Sequence, residues 1–170
     1  MAIYADLNHV FQSRTLKPRY ARVQSTPQAV TLDPAYDVAK GDIFPGTVMT
    51  RLADNKVTVC DGTTAPAGLS YNWCAPAYGI DEIRRGGSLD MSMVVMGPDA
   101  IWAVYSPAFD EGMDLASAKA DLEAGKAVYL KADARGRLTL EADRNTQTAN
   151  TACRLVGVEG QSCIVVAGLL

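Results

Sequence analysis

The sequence predicts a mainly β protein: a small β-barrel or sandwich with one short helix and an extended N-terminal arm. Three observations lead there. Short runs rich in β-branched residues recur along the chain, each bounded by Gly, Pro, Asp or Asn. A single alanine- and leucine-rich stretch, DLASAKADLEA at 114–124, has the marks of a helix. Lys17-Pro18, Thr26-Pro27 and Asp33-Pro34 interrupt residues 1–40, and each proline disfavours helix in the residue before it.

The stretch Gly41–Tyr71 organises the rest. Pro45-Gly46 punctuates its entry, and Thr47–Leu52 is a β-rich run with Val48, Thr50 and Leu52 expected on one face. Ala53-Asp54-Asn55-Lys56 supplies a turn, and Val57–Cys60 returns as a second strand. Asp61-Gly62 turns the chain again, and Ala67-Gly68-Leu69-Ser70 starts a third.

Before this unit, residues 1–40 read as an arm and residues 41–170 as the β-rich domain. Met1–Leu16 could form a short amphipathic helix, with Leu7, Val10 and Phe11 at helical spacing. Tyr4, Tyr20, Val23, Val30, Leu32 and Tyr36 add too many apolar groups for a solvated tail. The arm must cover its own domain or a neighbour's. Arg14, Lys17, Arg19 and Arg22 make it basic, which fits either a solvated arm or docking onto an acidic protein surface.

After the organising unit, Tyr71–Tyr78 is an aromatic loop or edge strand carrying Trp73. Arg84–Gly87 turns the chain. Ser88–Met96 and Ala100–Tyr105 are expected to pair as a second hairpin around Gly97-Pro98-Asp99, with Trp102 in a core or subunit contact rather than a ligand platform. Asp114 caps the helix and Gly125 ends it. Ala127–Ala132 and Arg137–Glu141 form a third hairpin, residues 142–151 a polar loop, and Cys153–Val158 with Ser162–Ala167 a last strand pair. The first hairpin, VMTRLADNKVTV, echoes the third, VYLKADARGRLTL. Either this is the ordinary likeness of two hairpins, or one barrel is built from two related halves.

Composition narrows the function classes. The chain has 170 residues, 48% hydrophobic and 21% charged, an ordinary globular mix for one domain with an appended arm. A net charge of −3 and a pI near 5.1 argue against direct nucleic-acid binding. No apolar run of roughly 18 residues predicts a membrane helix. The N-terminus lacks the basic start and apolar stretch of a signal peptide, so synthesis and folding in a cytoplasm are expected.

No catalytic constellation is recognisable. The cysteines at 60, 74, 153 and 163 match no zinc spacing and are expected as free, buried, apolar residues; a Cys153–Cys163 link across the last hairpin is the alternative. His9, the only histidine, lies in the arm, away from any rigid scaffold a base would need. Asp81-Glu82 and Asp110-Glu111 are adjacent acids in loops. No metal, cofactor or enzyme activity is expected.

The run PGTVMTRLADNKVTVCDGTTAPAGLS resembles the opening hairpin of the head decoration, or cement, proteins of tailed bacteriophages, the lambda-type family. Asp61-Gly62-Thr63-Thr64 and Ala67-Gly68-Leu69 carry the likeness, and the apolar strand Ser162–Leu170 fits the family's ending. The resemblance implies a virion protein on the outside of an expanded capsid, clustered as homotrimers at three-fold positions. Its partners would be the major capsid protein and itself. Tyr4, Leu7, Val10, Phe11, Arg14, Lys17, Arg19, Tyr20, Arg22, Trp73 and Trp102 are the candidate capsid or subunit contacts. Other readings are a tail, fibre or shell subunit, or a β-barrel binding module or hydrolase with a ligand near Trp73, Tyr78 and Trp102.

Overall fold

The computed structural model describes residues 16–18, 27–76, 90–95, 97 and 100–169. Strands β1 (Leu16–Pro18), β2 (Gln28–Leu32), β3 (Val48–Arg51), β4 (Lys56–Val59), β5 (Gly68–Ser70) and β6 (Asp90–Val94) come first. They are followed by β7 (Ile101–Tyr105), helix α1 (Leu115–Glu123), β8 (Val128–Ala132), β9 (Leu138–Leu140), β10 (Thr151–Val158) and β11 (Cys163–Ala167). Strands β2-β4-β3-β5-β6 close into a barrel, and β1-β7-β11-β10-β8-β9 form a six-stranded sheet beside it. The protein is mainly β, as its sequence predicts. Residues 1–15 of the expected N-terminal helix and the turn at Arg84–Gly87 lie outside the described residues, and Leu16, expected as its last residue, is in strand β1.

The β3–β4 hairpin forms where the Asp-Asn turn places it. Asp54 and Asn55 both take positive φ (56° and 59°), and the Lys56 amide donates to the Ala53 carbonyl at 3.1 Å. Consecutive positive φ values are the type I′ pattern, here inside a three-residue connection between Leu52 and Lys56. The third strand of this unit, β5, runs antiparallel to β3 with Val48 opposite Leu69. The expected common face of Val48, Thr50 and Leu52 is not observed. Leu52 has left the strand and is 38% exposed, whereas Met49, expected to face away, is fully buried. Both faces of β3 are covered: Met49 points into the barrel, and Val48 joins the core between barrel and sheet. A strand buried on both sides loses the alternation that sequence reading relies on.

The expected second hairpin is also corrected. Strands β6 and β7 both form, but they do not pair. β6 closes the barrel against β2 and β5, while β7 lies in the six-stranded sheet between β1 and β11. The connecting Gly97-Pro98-Asp99-Ala100 has proline at its second position, where it favours the turn types that splay strands. The IWAVY run of β7 is apolar throughout and takes two strand neighbours. The β8–β9 and β10–β11 pairs form as expected, the latter with a bulge between Leu155 and Gly157.

Helix α1 begins and ends on its sequence signals. The Asp114 carboxylate accepts from the Ser117 amide at 3.0 Å. At the other end Gly125 takes φ +75°, the Lys126 amide donates to the Asp121 carbonyl and the Gly125 amide to that of Leu122. Those two bonds make a Schellman motif.

Two cores result. The barrel interior holds Leu32, Met49, Val57, Val59, Met91 and Met93. A larger core under the six-stranded sheet and α1 holds Phe109, Leu130, Leu138, Leu155, Ile164 and Val166, all fully buried. Each such side chain contributes roughly 1.5–3 kcal/mol on burial. Residues 28–40, expected as the end of the arm, include β2, which is a barrel stave paired with β4 and β6.

Candidate functional site

Three of the predicted contact residues are described. Lys17 lies on β1 at the edge of the six-stranded sheet, exposed, with its ammonium 5.6 Å from the centre of the Tyr105 ring. Trp73 is half-buried beside the Cys74–Ile43 bridge of the barrel, and its indole N–H donates to Asp42 Oδ2 at 3.1 Å. Trp102 is buried in the core of the sheet on β7, opposite Val166, and meets the half-exposed Tyr71 ring edge-on at 6.3 Å. Tyr4, Leu7, Val10, Phe11, Arg14, Arg19, Tyr20 and Arg22 lie outside the described residues, as do His9, Tyr78 and the Asp81-Glu82 pair. Arm residues Leu16–Pro18 cover part of their own domain: they pair antiparallel with Trp102–Val104, and Leu16 is buried in the larger core.

The residues that carry the family resemblance sit where barrel and sheet meet. Asp61 Oδ1 accepts from the Thr63 amide at 2.9 Å and the Thr63 hydroxyl at 2.8 Å, which holds its carboxyl below the ordinary range. This turn presses Gly62 against β8: a Cβ there would stand 2.5 Å from the Ala132 carbonyl oxygen. The Asn150 side-chain amide donates to the Gly62 carbonyl at 3.2 Å. From the other side, the tip of the β8–β9 hairpin reaches the barrel, where the Val48 amide donates to the Gly136 carbonyl at 2.8 Å. The Asp-Gly-Thr-Thr motif is therefore a joint between two sheets.

A second polar cluster fixes loop 142–150. Asp121 on α1 is largely buried; it accepts from Arg144 Nε, and from Lys126 Nζ at 3.0 Å. Glu141 is buried and accepts from the hydroxyls of Thr148 at 2.8 Å and Thr151 at 2.7 Å. The sequence signal for this cluster was weak, because Asp121 and Arg144 stand in separate elements. The Arg144 bond, then that of Lys126, holds the Asp121 carboxyl below the ordinary carboxylate range. A depressed folded pKa contributes stability that is fully present above the unfolded value of about 3.9 and fades as pH falls through the folded value. Asp121→Asn is expected to flatten the loss of stability between about pH 5 and about pH 2. Denaturant midpoints measured across that window check it; equal slopes in parent and variant would contradict it.

Little here resembles a reacting centre. Glu111 accepts from the Ser106 hydroxyl, and Asp110 pairs with Arg137 at 3.6 Å, so both acids of that pair are held by neighbours. Among the described residues no group of three His, Cys, Asp or Glu could hold a metal. An open groove of about 760 Å³ runs past Met113, Leu115, Lys119 and Val158. No helix among the described residues is long and apolar enough to cross a membrane. All four cysteines are free and buried, so the Cys153–Cys163 link is absent. Burial, with a smaller push from Asp42, raises the Cys74 thiol to about 11, and burial alone raises Cys153. Thiols held protonated and out of water are poor nucleophiles. A disulfide reagent is expected to leave them largely unmodified in the folded protein and to titrate all four on unfolding. Fast modification without denaturant would contradict this.

No curated protein matches the chain. A family model described as phage cement protein matches residues 4–168, spanning arm, barrel and sheet, and by that match the chain belongs to the phage cement protein family.

Proposed function

We propose that this protein decorates the outer surface of the expanded phage capsid and stabilises it, bound as trimers at three-fold positions. Membership in a family of structural capsid-stabilising proteins, not of enzymes, carries the reading. The mechanism is mass action: a protein that binds only the expanded lattice stabilises it by the free energy of binding, and many copies make modest contacts sufficient. The partners on this reading are the major capsid protein and other copies of this chain, with synthesis in the host bacterial cytoplasm. The net charge of −3 favours a protein surface over nucleic acid as the direct partner.

The arm supplies the shell contact. Its described part, Leu16–Pro18, pairs with the β7 edge, and its aromatic, aliphatic and basic residues, from Tyr4 to Arg22, are of the types that interfaces bury. Since β2 is a barrel stave, the arm proper ends before Gln28. Trp73, with its indole half-buried, is the contact candidate on the barrel.

Co-sedimentation with expanded and unexpanded shells tests this. The full chain is expected to pellet with expanded shells only and to saturate at three copies per three-fold position. A chain lacking residues 1–15 keeps β1 and is expected to unfold as the parent does but to lose shell binding. Absence of binding to expanded shells overturns the reading; undiminished binding by the truncated chain overturns the role of the arm.

A further inference from the structure

The strands of the barrel and of the sheet follow one plan. The first unit, β2–β6, has the order β4-β3-β5-β6-β2, and the second, β7–β11, the order β9-β8-β10-β11-β7. Each number in the second is the first plus five, and the residue registers coincide as well. Met49 faces Val59 and Gly68; Leu130 faces Leu140 and Cys153. Ser70 faces Met93, which faces Gln28; Leu155 faces Val166, which faces Trp102.

The closing contact recurs too. It is parallel in both units, Leu32 beside Val57 and Phe109 beside Leu138. The same backbone bond follows it: the Asp33 amide donates to Val57 at 2.9 Å and the Asp110 amide to Leu138 at 2.8 Å. The hairpin tips agree in length and in their outer bond, Leu52 amide to Lys56 carbonyl at 2.8 Å and Asp133 amide to Arg137 carbonyl at 2.9 Å, while the inner bond differs, Lys56 amide to Ala53 carbonyl against Gly136 amide to Asp133 carbonyl. Asn55 and Gly136 hold the same place in them, both at positive φ. The second unit departs by the inserted Ser106–Ala108, by the bulge in β10, and by β1 lying along β7.

The units dock head to tail. The second unit's hairpin seats Gly136 on the first, where the Val48 amide bonds it while the Val48 carbonyl accepts from the Cys60 amide. The matching residue of the second unit is Tyr129, whose carbonyl accepts from the Glu141 amide at 3.0 Å. Its amide donates, at 2.8 Å, to the carbonyl of Arg144 in the chain's own loop. That loop is an enlargement: residues 142–152 stand where the first unit has residues 61–67. The first unit's hairpin also lacks the docking feature. Asn55 replaces the glycine, and its side chain is folded back onto the Ala29 carbonyl at 3.0 Å.

We infer that the chain is a tandem pair of one five-stranded unit, and that loop 142–147 closes a second copy of the docking seat that would otherwise accept the hairpin of another copy of this chain. Head-to-tail contacts grow into rings or filaments unless something stops them. Here Arg144 fills the open seat and Asn55 blunts the free hairpin, so the pair stays discrete. Association between copies then uses other surfaces.

Two full-length variants test this. The first carries Leu52→Asp, Asp54→Arg, Asn55→Gly and Lys56→Arg, which gives both hairpins the same tip. It is expected to unfold cooperatively within a few degrees of the parent and to sediment like it; loss of cooperative unfolding overturns the equivalence of the units. The second adds replacement of residues 142–152 by the sequence of residues 61–67. Its weight-average mass is expected to at least double over a tenfold rise in concentration, while the parent's does not. A folded second variant that sediments as the parent does overturns the closed-seat inference. Should the second variant not fold, the first variant with Asp121→Ala and Asn145→Ala, which removes the acceptor of the Arg144 side chain and the Asn145 bond to the Ala127 carbonyl, is read the same way, and unchanged sedimentation there overturns the inference equally.

Discussion

Gly136→Ala is expected to destabilise the protein by about 2–4 kcal/mol, although it adds one methyl group to a turn. Two effects combine. At φ +76° an L side chain is strained. The added Cβ would also stand 2.4 Å from Val59 Cγ1, 2.8 Å from Thr47 Cγ2 and 3.1 Å from the Val48 carbonyl oxygen. The last of these is backbone and cannot turn aside, so the hairpin must lift off the barrel and weaken the Val48 amide bond. In a chain of this size the loss corresponds to a fall of roughly 5–15 °C in Tm. Gly160→Ala is the control: φ is also +76°, but nothing lies within 4 Å, so only the backbone effect of about 1 kcal/mol is expected. Equal effects at the two positions, in thermal or denaturant unfolding, would contradict the tight seat at Gly136.

Phe109→Ala is expected to cost about 3–5 kcal/mol, the range for emptying the site of a fully buried phenylalanine. Phe109 is 0% exposed in the core under the six-stranded sheet. It is also the residue through which the segment after β7 bridges β9, with the Leu138 amide bonded to the Ala108 carbonyl and the Asp110 amide to that of Leu138. Phe109→Leu keeps most of the volume and is expected to cost well under half as much. Denaturant midpoints at constant m-value measure both. A loss below about 1 kcal/mol for the alanine variant would mean that the core does not rest on this ring.

What was legible in the sequence was local. Asp54-Asn55 fixed the β3–β4 hairpin because consecutive positive φ values suit few other residues. Asp114 and Gly125 bounded α1 because each satisfies backbone groups of its own helix. What was hidden was non-local. The parallel contact of Leu32 with Val57 closes the barrel without any turn to announce it, and β6 and β7 look like a hairpin until each is seen to need two other partners. Alternation places Leu52 on one face with Val48 and Thr50, a rule that fails when both faces of β3 are covered.

The family was legible for a different reason. Asp61-Gly62-Thr63-Thr64 led to the family, yet its work in the fold is to join barrel and sheet through Gly62. Trp102 was readable as a large apolar residue on a strand, and it is buried in the core beneath Tyr71. The Asp121–Arg144 pair has no signature in the sequence, because no spacing rule links a helix to a loop that folds back on it. The hairpin echo between VMTRLADNKVTV and VYLKADARGRLTL fits either the ordinary likeness of two hairpins or two related halves of one barrel; the chain instead sets a closed barrel beside a six-stranded sheet of the same strand plan.

The most direct measurement is the disruption temperature of expanded shells with and without saturating amounts of this protein, followed by scanning calorimetry with electron microscopy of the products. A cement protein raises that temperature, and the rise grows with occupancy up to saturation. Shells that carry the protein at full occupancy yet fall apart at the same temperature as bare shells would contradict the account.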